Sequence, residues 1–282
     1  MAQRGVIVIT GASSGIGEAC AQRLGALGFD VFAAVRSDSA FERVGAAGGG
    51  VRPLKLDITD AESIAAAASE VSAAGDGRLA GLVNNAGIAV SAPLEFIPIE
   101  ELRHQLEVNV VGQVAVTQAM LGMLRTARGR VVNVSSIGGI VAAPMLGAYA
   151  ASKFALEGIS DALRRELRPW GIGVSVVEPG AISTPIWDKG AAVADGLLER
   201  APAATTELYG PVIETMRAGA EQAARDGLPP SAVADVVAHA LTSSRPRTRY
   251  LVGREAKSRA AMSRLLPDRV FDALIARALR WR

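Results

Sequence analysis

The chain has 282 residues, half of them hydrophobic, with 30 glycines and only 4% aromatics. So few rings leave Val, Ile, Leu and Ala to build the core, the palette of a buried parallel sheet covered by helices. A net charge of +2 singles out no acidic or basic partner, and Cys20, the only cysteine, excludes an internal disulfide and a thiolate metal site. His104 and His239 lie far apart without the spacing of a zinc site, so no metal is expected.

Met1 to Gly5 run directly into the apolar stretch Val6–Thr10, with no pattern of a signal peptide. Further short apolar runs at Val31–Val35, Val51–Leu56, Leu82–Asn84, Val131–Ser135 and Val174–Val177, and one near Tyr250–Val252, predict buried strands. Between them, helical patterns cover Ile16–Leu27, Ala61–Ala74, Leu102–Leu124, Ala150–Leu167 and Val233–Thr242. Thr59-Asp60-Ala61-Glu62 has the form of a capping box opening the second of these helices. The longest uncharged stretch, Val108–Leu124, is polar in places and shorter than the ~20 apolar residues of a membrane span. The expectation is a soluble, cytoplasmic protein.

Strands alternating with helices imply right-handed crossovers and a parallel sheet. The predicted class is α/β, a doubly wound Rossmann fold with a seven-stranded parallel sheet over residues 1–253. Residues 185–230 break the alternation as a long insert rich in Ala, Gly and Pro, the usual character of a lid or binding element. Residues 254–282 form a tail expected to pack as a basic amphipathic element on the same domain. From 245 onward the chain carries eleven Arg/Lys against Glu255, Asp268 and Asp272, a charge of +8 that leaves −6 for the remainder.

The first strand ends in Thr10-Gly11-Ala12-Ser13-Ser14-Gly15-Ile16-Gly17, and a helix follows. Glycines at a strand-to-helix turn let backbone approach a pyrophosphate, and the helix N-terminus offers N–H donors and a positive dipole end. Tyr149 and Lys153 stand four residues apart, so on a helix both point to one side. A cation beside a phenol favours phenolate, which suits proton exchange with an alcohol or carbonyl oxygen. Alone, that spacing also fits a surface helix pair.

Together these elements closely resemble the short-chain dehydrogenase/reductase family, in unbroken order over about residues 5–253. Thr10–Gly17 matches the family's Thr-Gly-x-x-x-Gly-x-Gly, and Asn84-Asn85-Ala86-Gly87 its Asn-Asn-Ala-Gly. Asn109, Ser136, and Tyr149 with Lys153 fall at its catalytic positions, while Pro179-Gly180, Ile182 and Thr184 match the segment closing over the nicotinamide. The resemblance implies that Tyr149 is the general acid/base and that Lys153 lowers its pKa and binds the nicotinamide ribose. It implies that Ser136 bonds the substrate oxygen, with Ser135 the competitor, and that Asn109 organises a water leading to Lys153. It further implies that Gly11, Ser13, Ser14, Gly15, Ile16, Gly17, Asn85, Ala86 and Gly87 hold the dinucleotide and that Asp57 and Ile58 meet the adenine.

The end of the second strand, Val35-Arg36-Ser37-Asp38, bears on cofactor choice. Family members using NAD carry a carboxylate there for the ribose 2′-hydroxyl. Arg36 instead suits a 2′-phosphate, so NADP(H) is favoured, with NAD(H) possible if the loop brings Asp38 to the ribose.

Ser152–Leu167, Val177-Glu-Pro-Gly180 and the Leu-rich end Leu265–Phe271 look most like hydroxysteroid and retinol dehydrogenase members. That implies a small-molecule alcohol or carbonyl substrate of lipophilic character. Ile186, Trp187, Val193, Leu197, Leu198, Leu208, Tyr209, Val212, Ile213 and Met216 of the insert would line its pocket, or simply pack the insert on the sheet. A 3-oxoacyl thioester reductase and a non-catalytic cofactor-binding sensor are the rival readings. The tail could pack within the protein, meet another subunit or lie on an anionic membrane surface, the last being the least favoured. No nucleic-acid module accompanies it. The family's habit implies a homodimer or homotetramer through the helices at Leu102–Leu124 and around Tyr149.

Overall fold

The computed structural model describes residues 4–279. Seven strands, β1 (Val6–Thr10), β2 (Asp30–Val35), β3 (Val51–Lys55), β4 (Gly81–Asn84), β5 (Arg130–Val134), β6 (Gly173–Pro179) and β7 (Arg249–Val252), form one sheet. Their order is β3-β2-β1-β4-β5-β6-β7, and every pairing is parallel. The chain order reverses between β1 and β4, the switch point at which such sheets open a ligand crevice beyond their C-terminal ends.

The period-2 alternation of β1 divides the core into two layers. Ile7 and Ile9 face one side with Cys20 and Leu24 of α1 (Gly15–Ala26) and Val233 and Val237 of α9 (Pro230–Thr242). Val6 and Val8 face the other with Val71 of α3 (Ala61–Ala74) and Val116 and Met120 of α5 (Gly112–Ala127). Every residue of β1, β2 and β4 is buried, so these strands read as solid apolar runs.

Several local predictions need correction. A helix α2 (Asp38–Ala47) follows β2 where none was predicted; Ser37 caps it, its hydroxyl accepting from the Ala40 amide. The cap of α3 is Asp60, whose carboxylate accepts from the Glu62 amide, one residue beyond the Thr59 that the capping-box reading implies. Thr59 instead bonds back to Asp57. The stretch read as one helix from Leu102 is three pieces: α4 (Ile99–Leu106), a π-helical turn (Glu107–Val111) and α5. Such turns disturb the hydrophobic period too little to be seen in a sequence.

After β5, a 3₁₀ turn (Ile137–Gly139) leads to α6 (Gly147–Glu166). The insert folds as α7 (Ile186–Arg200) and α8 (Ala203–Asp226). Beyond β7, α10 (Arg254–Leu265) buries Ala256 and Ala260 against the body, whereas α11 (Asp268–Ala278) has no buried residue. Arg280 and Arg282, counted in the charge of the tail, lie outside the described residues. Among the described residues no helix is long and apolar enough to cross a membrane.

Candidate active site

A cleft of about 1170 Å³ opens at the C-terminal ends of the strands. Its floor is the turn after β1. Gly11 (φ +66°) and Gly15 (φ +58°) adopt left-handed backbone, and a Cβ on Gly11 would lie 2.7 Å from the Ala86 Cα. A Cβ on Gly17 would lie 2.6 Å from the Asn85 Nδ2 and would also meet the Gly11 carbonyl. Glycine at these positions is therefore a matter of space as well as torsion.

The turn is pinned to the neighbouring strand. The Thr10 hydroxyl accepts from the backbone amides of Asn85 at 2.9 Å and Ala86 at 3.0 Å, and the Asn85 side-chain Nδ2 donates to the carbonyls of Thr10 and Gly11. At the start of α1, Ser14 makes no side-chain cap, so the first amides of the helix lie beside the cleft without that partner.

These features fit a dinucleotide. The cleft wall includes Gly11, Ser13, Ser14, Gly15, Ile16, Arg36, Asp57, Ile58, Asn85, Ala86, Gly87, Pro179, Gly180, Ile182 and Thr184. Of the predicted cofactor residues only Gly17 is off the wall, beneath the turn it shapes. Thr184 closes over Gly15, its Cγ2 3.0 Å from where a Cβ would stand. Burial would raise Asp57, but bonds from the Thr59 amide and hydroxyl, with Arg36 and His104 nearby, hold its carboxyl below the usual value. Arg36 lines the cleft, whereas Asp38 does not. Asp38 is ion-paired with Lys55 and almost fully exposed.

Farther along the cleft, β5 and α6 bring Ser136, Tyr149 and Lys153 together. Ser136 stands beside the Tyr149 phenol and favours its charged form, and its hydroxyl accepts from the Gly138 amide at 3.0 Å. Ser135 lines the cleft as well, and its buried hydroxyl has no hydrogen-bond partner among the described residues. Lys153 Nζ donates to the Val134 carbonyl at 2.9 Å and stands 5.7 Å from the centre of the Tyr149 ring. Burial pushes Lys153 down to about 8, with Glu157 pushing back. Burial also raises the Tyr149 phenol, against the pull of Ser136. The lowered phenol expected from the resemblance is thus not produced by these protein groups, because desolvating a phenolate costs more than its neighbours return.

Asn109 lies in the π-helical turn, 1% exposed and off the cleft wall. Its side chain accepts from the Ile88 amide at 2.9 Å and donates to the Ile88 carbonyl and to Ser152 at 3.0 Å each. Both amide protons are spent joining the loop after β4 to α6. The motif reading contained Thr10 and Ser152 but gave neither a role, and it did not reach Gln105, which clasps Ile88 and Val90 in the same way.

From the insert, Ile186, Trp187, Leu197, Leu198, Ile213 and Met216 line the cleft. Four others proposed for that wall do not. Val193 and Leu208 face solvent, Val212 is buried in packing, and Tyr209 bonds to Glu95. Phe271, Leu274 and Ile275 of α11 reach the same cavity.

A parallel sheet with a glycine-rich turn at its switch point, and a serine, tyrosine and lysine on the crevice wall, define a nicotinamide-type oxidoreductase. The model of the short chain dehydrogenase family matches residues 5–193. The 3-amino-tetrahydro-pyrrolizinone reductase of Xenorhabdus hominickii is 40% identical over 92% of this chain and 91% of its own. The NADPH-dependent 3-dehydrocapnine reductase of Ornithobacterium rhinotracheale is 36% identical over 97% and 96%. The 17-beta-hydroxysteroid dehydrogenase type 6 of Homo sapiens is 38% identical over 96% and 88%. Among solved structures, a short-chain dehydrogenase from Burkholderia cenocepacia in complex with NADP superposes with TM-score 0.74, 28% identity and 98% of each chain covered. Another, from Burkholderia phymatum in complex with NAD, gives 0.79, 26% and 92% of each. This chain belongs to the short-chain dehydrogenase family. It is an NAD(P)-dependent oxidoreductase acting on CH–OH groups.

Proposed function

We propose that the protein interconverts a lipophilic alcohol, steroid- or retinoid-like in character, and its ketone or aldehyde, using NADP(H) in preference to NAD(H). The observation that carries this reading is the convergence of Ser136, Tyr149 and Lys153 on one wall of the cleft that the glycine turn opens. When bound, the nicotinamide supplies or accepts the hydride. Tyr149 gives the proton to the carbonyl oxygen in reduction and takes it from the hydroxyl in oxidation. Ser136, held by the Gly138 amide, donates to the same oxygen, and Lys153 keeps a positive charge beside the phenol. Asn109 holds the π-helical turn to α6 through Ser152, and in reduction the proton that Tyr149 gives up is restored from Lys153, which regains its own from a water.

Arg36 on the cleft wall, with Asp38 off that wall and paired with Lys55, supports NADP(H), since a guanidinium can bind a 2′-phosphate that a carboxylate would repel. The apolar side chains of α7 and α8, with Trp187 nearest the nicotinamide segment, support a lipophilic substrate. Exposed Val111 and Phe154, on the elements read as subunit contacts, support a homodimer or homotetramer, working in the cytoplasm. The tail belongs to the same domain through Ala256 and Ala260.

The test is NADPH and NADH oxidation with a panel containing a ketosteroid, retinal, medium-chain aldehydes and a 3-oxoacyl thioester. Turnover with the lipophilic ketones or aldehydes and NADPH is expected. Turnover confined to the thioester would replace this reading by acyl reduction, and cofactor binding without any turnover would leave a sensor.

A further inference from the structure

Behind the Tyr149–Lys153 pair lies a second group of charges that the proton chemistry above does not use. Glu157 follows Lys153 by one turn of α6 and is 8% exposed, and Glu178 on β6 is 1% exposed. Arg249 at the start of β7 reaches both and Asp161 as well: its guanidinium lies 3.1 Å from Glu157, 3.1 Å from Asp161 and 3.4 Å from Glu178. Arg164 and Arg165 approach Asp161 from its own helix, and Arg264 of α10 faces Glu178. The hydroxyl of Ser135, next in sequence to Ser136, and the side chain of Glu157 both border Gly139.

Glu157 is thus faced by Lys153 and Asp161 from its own helix, Arg249 from β7, Glu178 from β6 and Ser135 from the end of β5. One guanidinium cannot neutralise three carboxylates, two of them buried. Glu178 is the carboxyl that yields, pushed up to about 7 by burial and by Glu157. Arg249 meets Glu157 through both Nε and Nη2, 3.2 and 3.1 Å from one carboxylate oxygen.

The need for that anion comes from Lys153. Lys153 is 5% exposed, and its ammonium donates to a neutral acceptor, the Val134 carbonyl. A buried ammonium in such surroundings gives up its proton more readily unless a negative charge stands on the same side, and Glu157, one turn further along the same helix, favours the charged form.

We propose that Glu157, fixed by Arg249, is the counter-charge that keeps Lys153 protonated beside Tyr149, and is therefore a positioning residue for the reaction. The proposal rests on the reading of Tyr149 and Lys153 as the proton-handling pair. Arg249 also ties together the helix carrying that pair, the strand leading to Pro179-Gly180, and β7. The same contact that fixes Glu157 thereby fixes the two walls of the nicotinamide end of the cleft relative to each other.

The experiment is the pH profile of kcat/KM for NADPH-dependent carbonyl reduction. In the parent protein activity is expected to fall as pH rises through the titration of Lys153, near 8. Glu157→Gln and Glu157→Met, made in parallel so that one folding failure leaves the other, are expected to move that alkaline limb down by about one pH unit, the effect of removing a near opposite charge. Glu157→Asp, which keeps the charge, is expected to leave the limb within a few tenths of a unit of its place. A lower kcat or Tm with the limb unmoved in the neutral variants would overturn the proposal, since a purely structural role changes amplitude and not position. Tyr149→Phe is run alongside. If it retains turnover, the underlying assignment of the pair fails; if it is inactive while the limb stays put, only the role of Glu157 fails.

Discussion

Replacing Glu178 by Gln should make the protein more stable at mildly alkaline pH, although a charged group that contacts an arginine is being removed. Burial, first, and repulsion from Glu157, second, lift this carboxyl from 4.5 to about 7, with Arg249 and Arg264 pulling it back in part. The folded protein therefore binds a proton that the unfolded chain has released between those values. For a group raised in this way, the stability it contributes is full below the unfolded pKa and lost as pH rises through the folded one. At about 1.4 kcal/mol per unit, the loss approaches 3 kcal/mol by pH 8.

Glutamine keeps the shape of the side chain and can still accept from Arg249, but it never charges. Urea or thermal unfolding at pH 5 and pH 8 is the assay. The variant should gain less than about 1 kcal/mol over the parent at pH 5 and up to about 3 kcal/mol at pH 8, roughly 6 °C in Tm for a domain of this size. The series stops at pH 8 because Lys153, held down to about 8 by burial, begins to release its own penalty there with the opposite sign. Glu157 is raised as well but is common to both proteins, and the lowered Asp57 and Asp161 titrate below the window. A variant less stable than the parent at pH 8 by as much as at pH 5 would refute the reasoning. It would mean that Glu178 is a stabilising anion paired to Arg249.

Thr10→Val keeps the volume but strips the acceptor from the Asn85 and Ala86 amides. At roughly 1–3 kcal/mol per orphaned donor, a lowered Tm is expected together with weaker NADPH binding in a fluorescence titration. Gly17→Ala drives a methyl into the Gly11 carbonyl and the Asn85 side chain, so NADPH binding should fall at least tenfold by calorimetry while the sheet, by circular dichroism, persists. Arg36→Ala should erode the preference for NADPH over NADH and Asp38→Ala should leave it unchanged, as read from the two Kd values. Cys20, fully buried and pushed up to about 12 by burial, should resist a thiol reagent until the chain is unfolded with denaturant.

The central strands were legible because full burial writes itself as unbroken Val, Ile and Leu: β1 is found with both of its predicted ends, Val6 and Thr10. The glycine turn and the Tyr149–Lys153 spacing were equally plain, since only a few residue types satisfy those positions. What escaped was structure made by polar side chains acting at a distance. The cap of α2 by Ser37 and that of α3 by Asp60 depend on which hydroxyl or carboxylate turns inward, and several candidates stood side by side. Arg249 is ninety-two residues from Glu157, so no spacing rule joins them. In the insert, the predicted list mixed wall residues such as Trp187 and Met216 with Leu208, which faces water, because an amphipathic helix shows its apolar stripe without showing which neighbour the stripe meets.

The most direct test is Tyr149→Phe, assayed for NADPH-dependent carbonyl reduction together with NADPH affinity. The account expects turnover to fall by at least a thousandfold, in the range of a lost general acid with its oxygen contact, while NADPH affinity stays within a few fold of the parent. Turnover within tenfold of the parent would contradict it and remove Tyr149 from the chemistry.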